Sequence, residues 1–210
     1  MKTDELIMAL AADTLPQKTV LQRLARAMPI AMAVSVTAFA LFWGARSDIR
    51  AALGSAAALK TVLPLALALL SGAFAVALAH PGARYEFRGA ALGLLVALVI
   101  VAFLTTLAGA GPGGLIAALS TPLLMTCLLS IPLLALPVLA AAFWGLSSGA
   151  ALHPRLTGAA GGLMAGGLAA SVYSIYCDND RMLFVLPAYS AAIMSISLLG
   201  AILGPRLLKW

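Results

Sequence analysis

The sequence has little charge. Only 10% of its 210 residues are Asp, Glu, Lys or Arg, whereas an ordinary soluble domain carries roughly 25%. Apolar residues make up 63% of the chain, and one domain of this length would bury only about 70% of the surface of its unfolded chain. A soluble fold would therefore leave much of this apolar excess in water, which argues against a soluble protein. The low charge equally argues against a disordered chain.

The sequence is rich instead in long apolar runs. Each run is close to the roughly 17–25 residues that cross a bilayer as a helix. The runs are continuously apolar rather than alternating, which indicates helices and not the strands of a membrane barrel. They cover residues 28–44, 61–79, 90–108, 122–144, 157–176 and 182–204. The sequence therefore predicts an all-α membrane protein with six transmembrane helices.

The sparse charges lie between these runs or at their ends, so they predict an orientation. Nine basic residues fall on the side of the two termini: Lys2, Lys18, Arg23, Arg26, Arg84, Arg88, Arg155, Arg206 and Lys209. Four fall on the other side: Arg46, Arg50, Lys60 and Arg181. By the positive-inside rule, both termini are cytoplasmic. The predicted division is a cytoplasmic arm at 1–27, a transmembrane domain at 28–204 and a short basic cytoplasmic tail at 205–210.

The interiors of the runs contain no Asp, Glu, Lys, Arg or His. Ionisable residues inside a membrane mark ion paths, proton relays and substrate sites, so their absence argues against a pump or an intramembrane enzyme. A small multi-pass transporter and a membrane thiol oxidoreductase are kept as alternatives, although the C-x-x-C motif typical of the latter is missing. The basic residues are dispersed and not clustered with aromatics, which argues against direct nucleic-acid binding.

The fifth run carries small residues at every fourth position: Gly158, Gly162, Gly166, Ala170 and Ser174. This spacing places them on one face of a helix, where they allow a second backbone to come close. The pattern predicts close helix packing but leaves open whether the partner helix belongs to the same chain.

The two cysteines map to the same side of the predicted membrane. Cys127 lies near the outer end of the fourth run and Cys177 closes the fifth. A disulfide is chemically allowed in an oxidising outer compartment. Asp178 and Asp180 follow Cys177, and two thiols with nearby carboxylates suit a soft metal ion. The alternative is that Cys127 is simply a small buried apolar residue.

The N-terminal arm is the only sizeable segment outside the predicted membrane. Thr3 suits a helix N-cap, and Asp4 and Glu5 then favour the positive end of the helix. An apolar face follows at helical spacing, formed by Leu6, Ile7 and Leu10. Anionic lipid repels the acidic residues, so this short helix matches a groove on a protein partner better than a membrane surface.

Four stretches together resemble a known family. They are Thr3 to Ile7, Cys127 to Leu133, Tyr173 to Cys177 followed by Phe184 and Tyr189, and Arg206 to Trp210. In this order and at these distances they are similar to the NrsF-like family of six-helix membrane anti-sigma factors.

The resemblance implies a regulatory protein of the bacterial inner membrane and not an enzyme. It implies that the arm holds an extracytoplasmic-function (ECF) sigma factor, through Thr3, Asp4, Glu5, Leu6, Ile7 and Leu10. It also implies that Cys127 and Cys177 sense heavy-metal or oxidative stress. No resident cofactor is expected, only a transient heavy-metal ion at the two cysteines, with Asp178 and Asp180 as accessory residues.

Overall fold

The computed structural model of the chain describes Thr3, Glu5, Met8 and residues 19–208. Residues 19–208 contain no β-strand. They form seven α-helices and one 3₁₀ turn: α1 (Val20–Phe42), α2 (Ile49–Leu53), the 3₁₀ turn (Ala56–Ala58), α3 (Leu59–Leu78), α4 (Glu86–Leu119), α5 (Leu123–Leu146), α6 (Pro154–Tyr173) and α7 (Met182–Leu207). All of the α-helices except α2 are long and apolar enough to cross a membrane. The prediction of six such helices is confirmed.

The first long helix begins well before the apolar run that predicts it. Thr19 is its N-cap: the Thr19 hydroxyl accepts from the backbone N–H of Gln22 at 3.3 Å, and the Gln22 side chain accepts from the N–H of Thr19 at 3.2 Å. This reciprocal pair satisfies two donors that a helix start otherwise leaves without partners. The basic stretch with Arg23 and Arg26 is therefore the opening of α1, and the boundary predicted at residue 28 falls inside a continuous helix.

Helix α4 is bent near its C-terminal end. Gly111 has a φ of 68°, in the left-handed region that glycine adopts without a steric penalty. The segment Glu86–Gly111 is the part that is long and apolar enough to cross a membrane. Residues 112–119 form a short helical extension beyond the bend and lead towards α5.

The fifth long helix, α6, is the most buried of the six and packs against α7, α3 and α5. An added Cβ at Gly162 would lie 2.5 Å from the carbonyl oxygen of Ile196 in α7. One at Gly167 would lie 2.6 Å from the carbonyl oxygen of Pro64 in α3. The small residues therefore bring backbones close, as the spacing predicts, and the partner helices belong to the same chain.

The six long helices alternate in direction, so their connections lie at two ends. One end carries Cys127 and Cys177, and we call it the thiol end. There the N–H of Arg46 donates to the carbonyl of Ile175 at 3.1 Å. At the opposite end the N–H of Ala150 donates to the carbonyl of Ala79 at 3.0 Å. The start of α1 and the end of α7 both lie at this opposite end.

The outer surface of the helix bundle is apolar. Large side chains in the middle of several helices are exposed, among them Leu69, Leu98 and Met194. Contiguous exposed apolar surface is unusual on a soluble monomer. This surface suits contact with lipid chains.

Candidate functional site

The first cysteine is held inside the bundle near the thiol end. Cys127 lies in the second turn of α5, and its side chain is fully buried. Its Sγ donates to the hydroxyl of Tyr173 at 3.6 Å. Tyr173 is the last residue of α6 and is also fully buried. The thiol of Cys127 is therefore fixed where α5 meets the end of α6.

The second cysteine follows α6 in a tight turn. The N–H of Cys177 donates to the carbonyl of Tyr173 at 3.3 Å, which directs the chain back over the end of the helix. The Cys177 side chain is fully buried, its Sγ donates to the carbonyl of Asn179 at 3.9 Å, and its thiol interacts with that of Cys127. Both cysteines are free thiols. The fold thus brings together two residues that are 50 positions apart in the sequence.

The two thiols differ in their surroundings. The neighbouring Cys127 thiol lowers the pKa of Cys177 below its ordinary value; burial opposes this lowering, and the charge of Lys60 adds to it. The thiolate is the form of cysteine that attacks oxidants and binds metals. The lowered pKa favours the thiolate form of Cys177.

Three tyrosines surround the pair. The ring centroids of Tyr173 and Tyr176 are 5.7 Å apart, and those of Tyr173 and Tyr189 are 6.3 Å apart. Tilted and edge-on contacts of this kind are favourable for aromatic rings. Tyr173 and Tyr189 are buried, and the hydroxyl of Tyr173 accepts from the Cys127 thiol. Sequence reasoning assigns them no role, although two of them stand within four residues of Cys177.

A cluster of charges holds the loop that carries Cys177. Arg46 and Lys60 both donate to the backbone carbonyl of Cys177, and Arg46 does so at 3.2 Å. Both also bind the Asp180 carboxylate, Arg46 at 3.0 Å and Lys60 at 2.5 Å. We call Arg46, Lys60 and Asp180 the clasp. Asp48 binds Arg46 from the solvent side at 2.5 Å.

The clasp carboxylate is ionised. Burial by itself raises the pKa of Asp180, but the hydrogen bonds from Arg46 and Lys60 outweigh it, and the pKa lies below the ordinary value. The hydrogen bond from Arg46 also lowers the pKa of Asp48. Sequence reasoning uses Arg46 and Lys60 only to predict orientation and misses their contact with the cysteine loop, because the clasp joins residues more than 100 positions apart.

The two acidic residues predicted as accessory to the cysteines have different positions. Asp180 belongs to the clasp, whereas Asp178 lines an open concavity of about 610 Å³ together with Trp43 and Tyr176. Within the described part of the chain, no group of three or more His, Cys, Asp or Glu residues is placed to hold a metal ion. The thiol pair thus offers two sulfur atoms, without a carboxylate completing a metal site.

The predicted sigma-binding residues lie in the arm. Thr3, Glu5 and Met8 are helical and exposed. Thr3 is itself helical, so it is not the residue preceding the helix that its N-cap assignment requires. Asp4, Leu6, Ile7 and Leu10 lie outside the described residues.

The chain is similar to proteins of one family along its length. The family described as NrsF, negative regulator of sigma F, matches residues 9–210. The anti-sigma-F factor NrsF of Caulobacter vibrioides (strain NA1000 / CB15N) is 30% identical, with 100% of both chains covered. The probable anti-sigma-F factor NrsF of Azospira oryzae (strain ATCC BAA-33 / DSM 13638 / PS) is 32% identical, again with 100% of both chains covered. No solved structure matches the chain.

Proposed function

Because the chain belongs to the family of negative regulators of sigma F, we propose that it is a membrane anti-sigma factor. It holds an ECF sigma factor at the cytoplasmic face of the bacterial inner membrane through its N-terminal arm. It releases that factor when the outer-facing pair Cys127 and Cys177 reacts with an oxidant or a heavy metal. The observation that carries this proposal is the interaction between two free, buried thiols at the end of the bundle opposite to the start of α1.

The proposed membrane position is supported by the helices and their charges. Six long apolar helices suit a bilayer, and an even number of crossings returns both termini to the same side. The opposite end bears Arg23, Arg84, Arg88 and Arg155 close to the helix ends, which favours that end as the cytoplasmic one. The thiol end then faces the oxidising outer compartment.

The arm suits a protein partner on the cytoplasmic side. Its described residues Thr3, Glu5 and Met8 are helical, which supports a helix with Leu6, Ile7 and Leu10 along one face. Such a helix binds in an apolar groove of a partner, and its acidic residues add charge complementarity to a basic rim.

The thiol pair supplies two chemically distinct ways to receive a signal. A two-electron oxidant takes two electrons and two protons from the pair, and one S–S bond forms between Cys127 and Cys177. Alternatively, a soft metal ion binds both sulfur atoms and displaces their protons. Either event joins the start of α5 more tightly to the loop that follows α6, because Cys127 stands on α5 and Cys177 on that loop.

Two contacts join α5 to α1, one near the middle of α1 and one near its start. The Ser35 hydroxyl of α1 donates to the carbonyl of Leu134 in α5 at 2.8 Å. Nearer the opposite end, the Arg23 guanidinium lies 5.6 Å from the ring centroid of Trp144. We propose that a displacement of α5 at the thiol pair moves α1 through these contacts. To change the occupancy by sigma factor from 99:1 to 1:99, the signal must weaken the complex by about 5.5 kcal/mol.

Co-purification tests the sigma-binding role. The full-length protein is purified from membranes with its sigma factor, and we expect deletion of residues 1–14 to abolish that association. Leu10→Asp places a charge on the apolar face and should have the same effect. Met8→Asp is the matched control, since the helical spacing puts Met8 on the other face. Full retention of the sigma factor by the deletion variant would refute the proposed contact.

A further inference from the structure

The loop that carries Cys177 is held from outside by two cations on different segments of the chain. Arg46 follows α1 and binds the loop three times, through its backbone N–H on Ile175 and through its guanidinium on Cys177 and Asp180. Lys60 belongs to the first turn of α3 and binds the loop twice, at the Cys177 carbonyl and at Asp180. The backbone of the loop is thus held at positions before and after Cys177 in the sequence.

The position of Lys60 is unusual for a lysine. Its side chain is only 4% exposed, although it lies at a helix end from which a lysine commonly extends towards water. A buried ammonium is tolerated when it is paired and its remaining protons are hydrogen-bonded. Lys60 is paired with the Asp180 carboxylate and donates a second proton to the Cys177 carbonyl, and both groups belong to a single loop. Lys60 therefore points at the backbone of the cysteine itself.

We propose that Lys60, paired with Asp180, is a positioning residue of the thiol pair: it fixes the backbone of Cys177 so that its sulfur stays buried against Cys127. This inference rests on the sensor role proposed above for the two cysteines. Cys127 is held independently, by α5 and the Tyr173 hydroxyl. The geometry of the pair accordingly depends on the loop, and the loop depends on the clasp.

This arrangement has two consequences for thiol reactivity. A disulfide forms only when the two Cα atoms lie within about 7 Å and the Cβ atoms face each other, so a fixed loop speeds pairing. A fixed loop also keeps bulky reagents from Cys177, because that side chain is fully buried. Removing the Lys60 charge should slow disulfide formation between Cys127 and Cys177 and speed the reaction of Cys177 with bulky reagents.

The experiment measures both rates on full-length protein in native membranes. Pairing is followed with saturating diamide, so that closure of the S–S bond and not reagent access sets the rate. The reagent takes two electrons and two protons from the two thiols and becomes the hydrazine. Access is followed as alkylation of Cys177 by N-ethylmaleimide in a Cys127→Ser background. For Lys60→Met we expect pairing about tenfold slower and alkylation about tenfold faster, since charged hydrogen bonds to the loop are lost. Asp180→Asn should change both rates in the same directions.

Three comparisons separate positioning from general damage. Arg50→Met removes a positive charge at the same end of the molecule and should leave both rates unchanged. Lys60→Arg keeps the charge and should restore both rates. Cys127, tested in a Cys177→Ser background with Lys60→Met, should stay protected from alkylation, whereas an unfolded bundle would expose it.

Several results would overturn the inference: unchanged rates in both Lys60→Met and Asp180→Asn, the same rates in Lys60→Arg as in Lys60→Met, or equal exposure of the two cysteines. None of these measurements involves the sigma factor. A failure of the clasp inference is therefore distinguishable from a failure of the proposed sensor, in which the thiols react as expected but sigma binding does not change.

Discussion

The close approach of α6 and α7 can be tested by adding a single methyl group at Gly162. An Ala Cβ there would lie 2.5 Å from the carbonyl oxygen of Ile196 and 2.6 Å from the Cα of Ser197. Both are backbone atoms, so no side-chain rotation relieves the overlap and the two helices must separate. Gly162→Ala should therefore destabilise the bundle.

The expected magnitude follows from two opposing effects. Ala is more favourable than Gly in a helix interior by roughly 0.5–1 kcal/mol. Overpacking of a well-packed interior costs about 1–3 kcal/mol, and a clash with backbone atoms favours the upper part of that range. We expect a net loss of about 2 kcal/mol in the free energy of unfolding. Gly93→Ala is the matched control, because an added Cβ there meets nothing within 4 Å and should slightly stabilise the protein.

The assay is reversible unfolding in mixed micelles with an increasing fraction of dodecyl sulfate. Gly161→Ala gives an intermediate point, since its Cβ would meet the movable end of the Leu146 side chain at 3.3 Å. The reasoning is refuted if Gly162→Ala is as stable as the unmodified protein, or if it shifts in the same direction as Gly93→Ala.

Two further predictions concern the contacts between segments. Ser35→Ala removes the hydrogen bond to the Leu134 carbonyl and should lower the free energy of unfolding by about 0.6 kcal/mol in the same assay. The control is Ser195→Ala, which should cost less because the Ser195 hydroxyl bonds only within its own helix. Equal losses of stability in the two variants would contradict the contact between Ser35 and Leu134. Because the pKa of Asp180 is lowered, its stabilising ion pairs are complete above about pH 4 and are lost as the pH falls through the lowered value. The reaction of Cys177 with dithiodipyridine, in a Cys127→Ser background, should therefore show no loop opening between pH 7 and 5 and opening only as the pH falls below about 4. Opening already at pH 5 would count against the clasp.

The helices could be predicted from the sequence because their signal is local. Residues 61–79 are an uninterrupted apolar run, and α3 occupies Leu59–Leu78. The apolar run at 28–44 marks only part of α1, because hydropathy ignores the basic turn around Arg23. The capping pair Thr19 and Gln22 marks the start of α1 and is readable in the sequence.

The candidate site could be predicted only in part. Topology alone placed Cys127 and Cys177 at the same end, since an alternation of spans fixes the end at which each residue lies. The clasp could not be found in this way, because several charged residues share that end and nothing local pairs Lys60 with Asp180. The face of Gly162 was readable from spacing, but its partner α7 depends on the packing of the whole bundle.

In the proposed mechanism, reduction or oxidation of the thiol pair controls how tightly the protein binds the sigma factor. The most direct measurement is the dissociation constant of the sigma factor for the full-length protein in lipid nanodiscs, with the pair reduced and after diamide oxidation. The account predicts weakening by a factor of up to about 10⁴ on oxidation, and no change in a Cys127→Ser, Cys177→Ser variant that still binds the factor tightly. Equal dissociation constants for the reduced and the oxidised protein would contradict it.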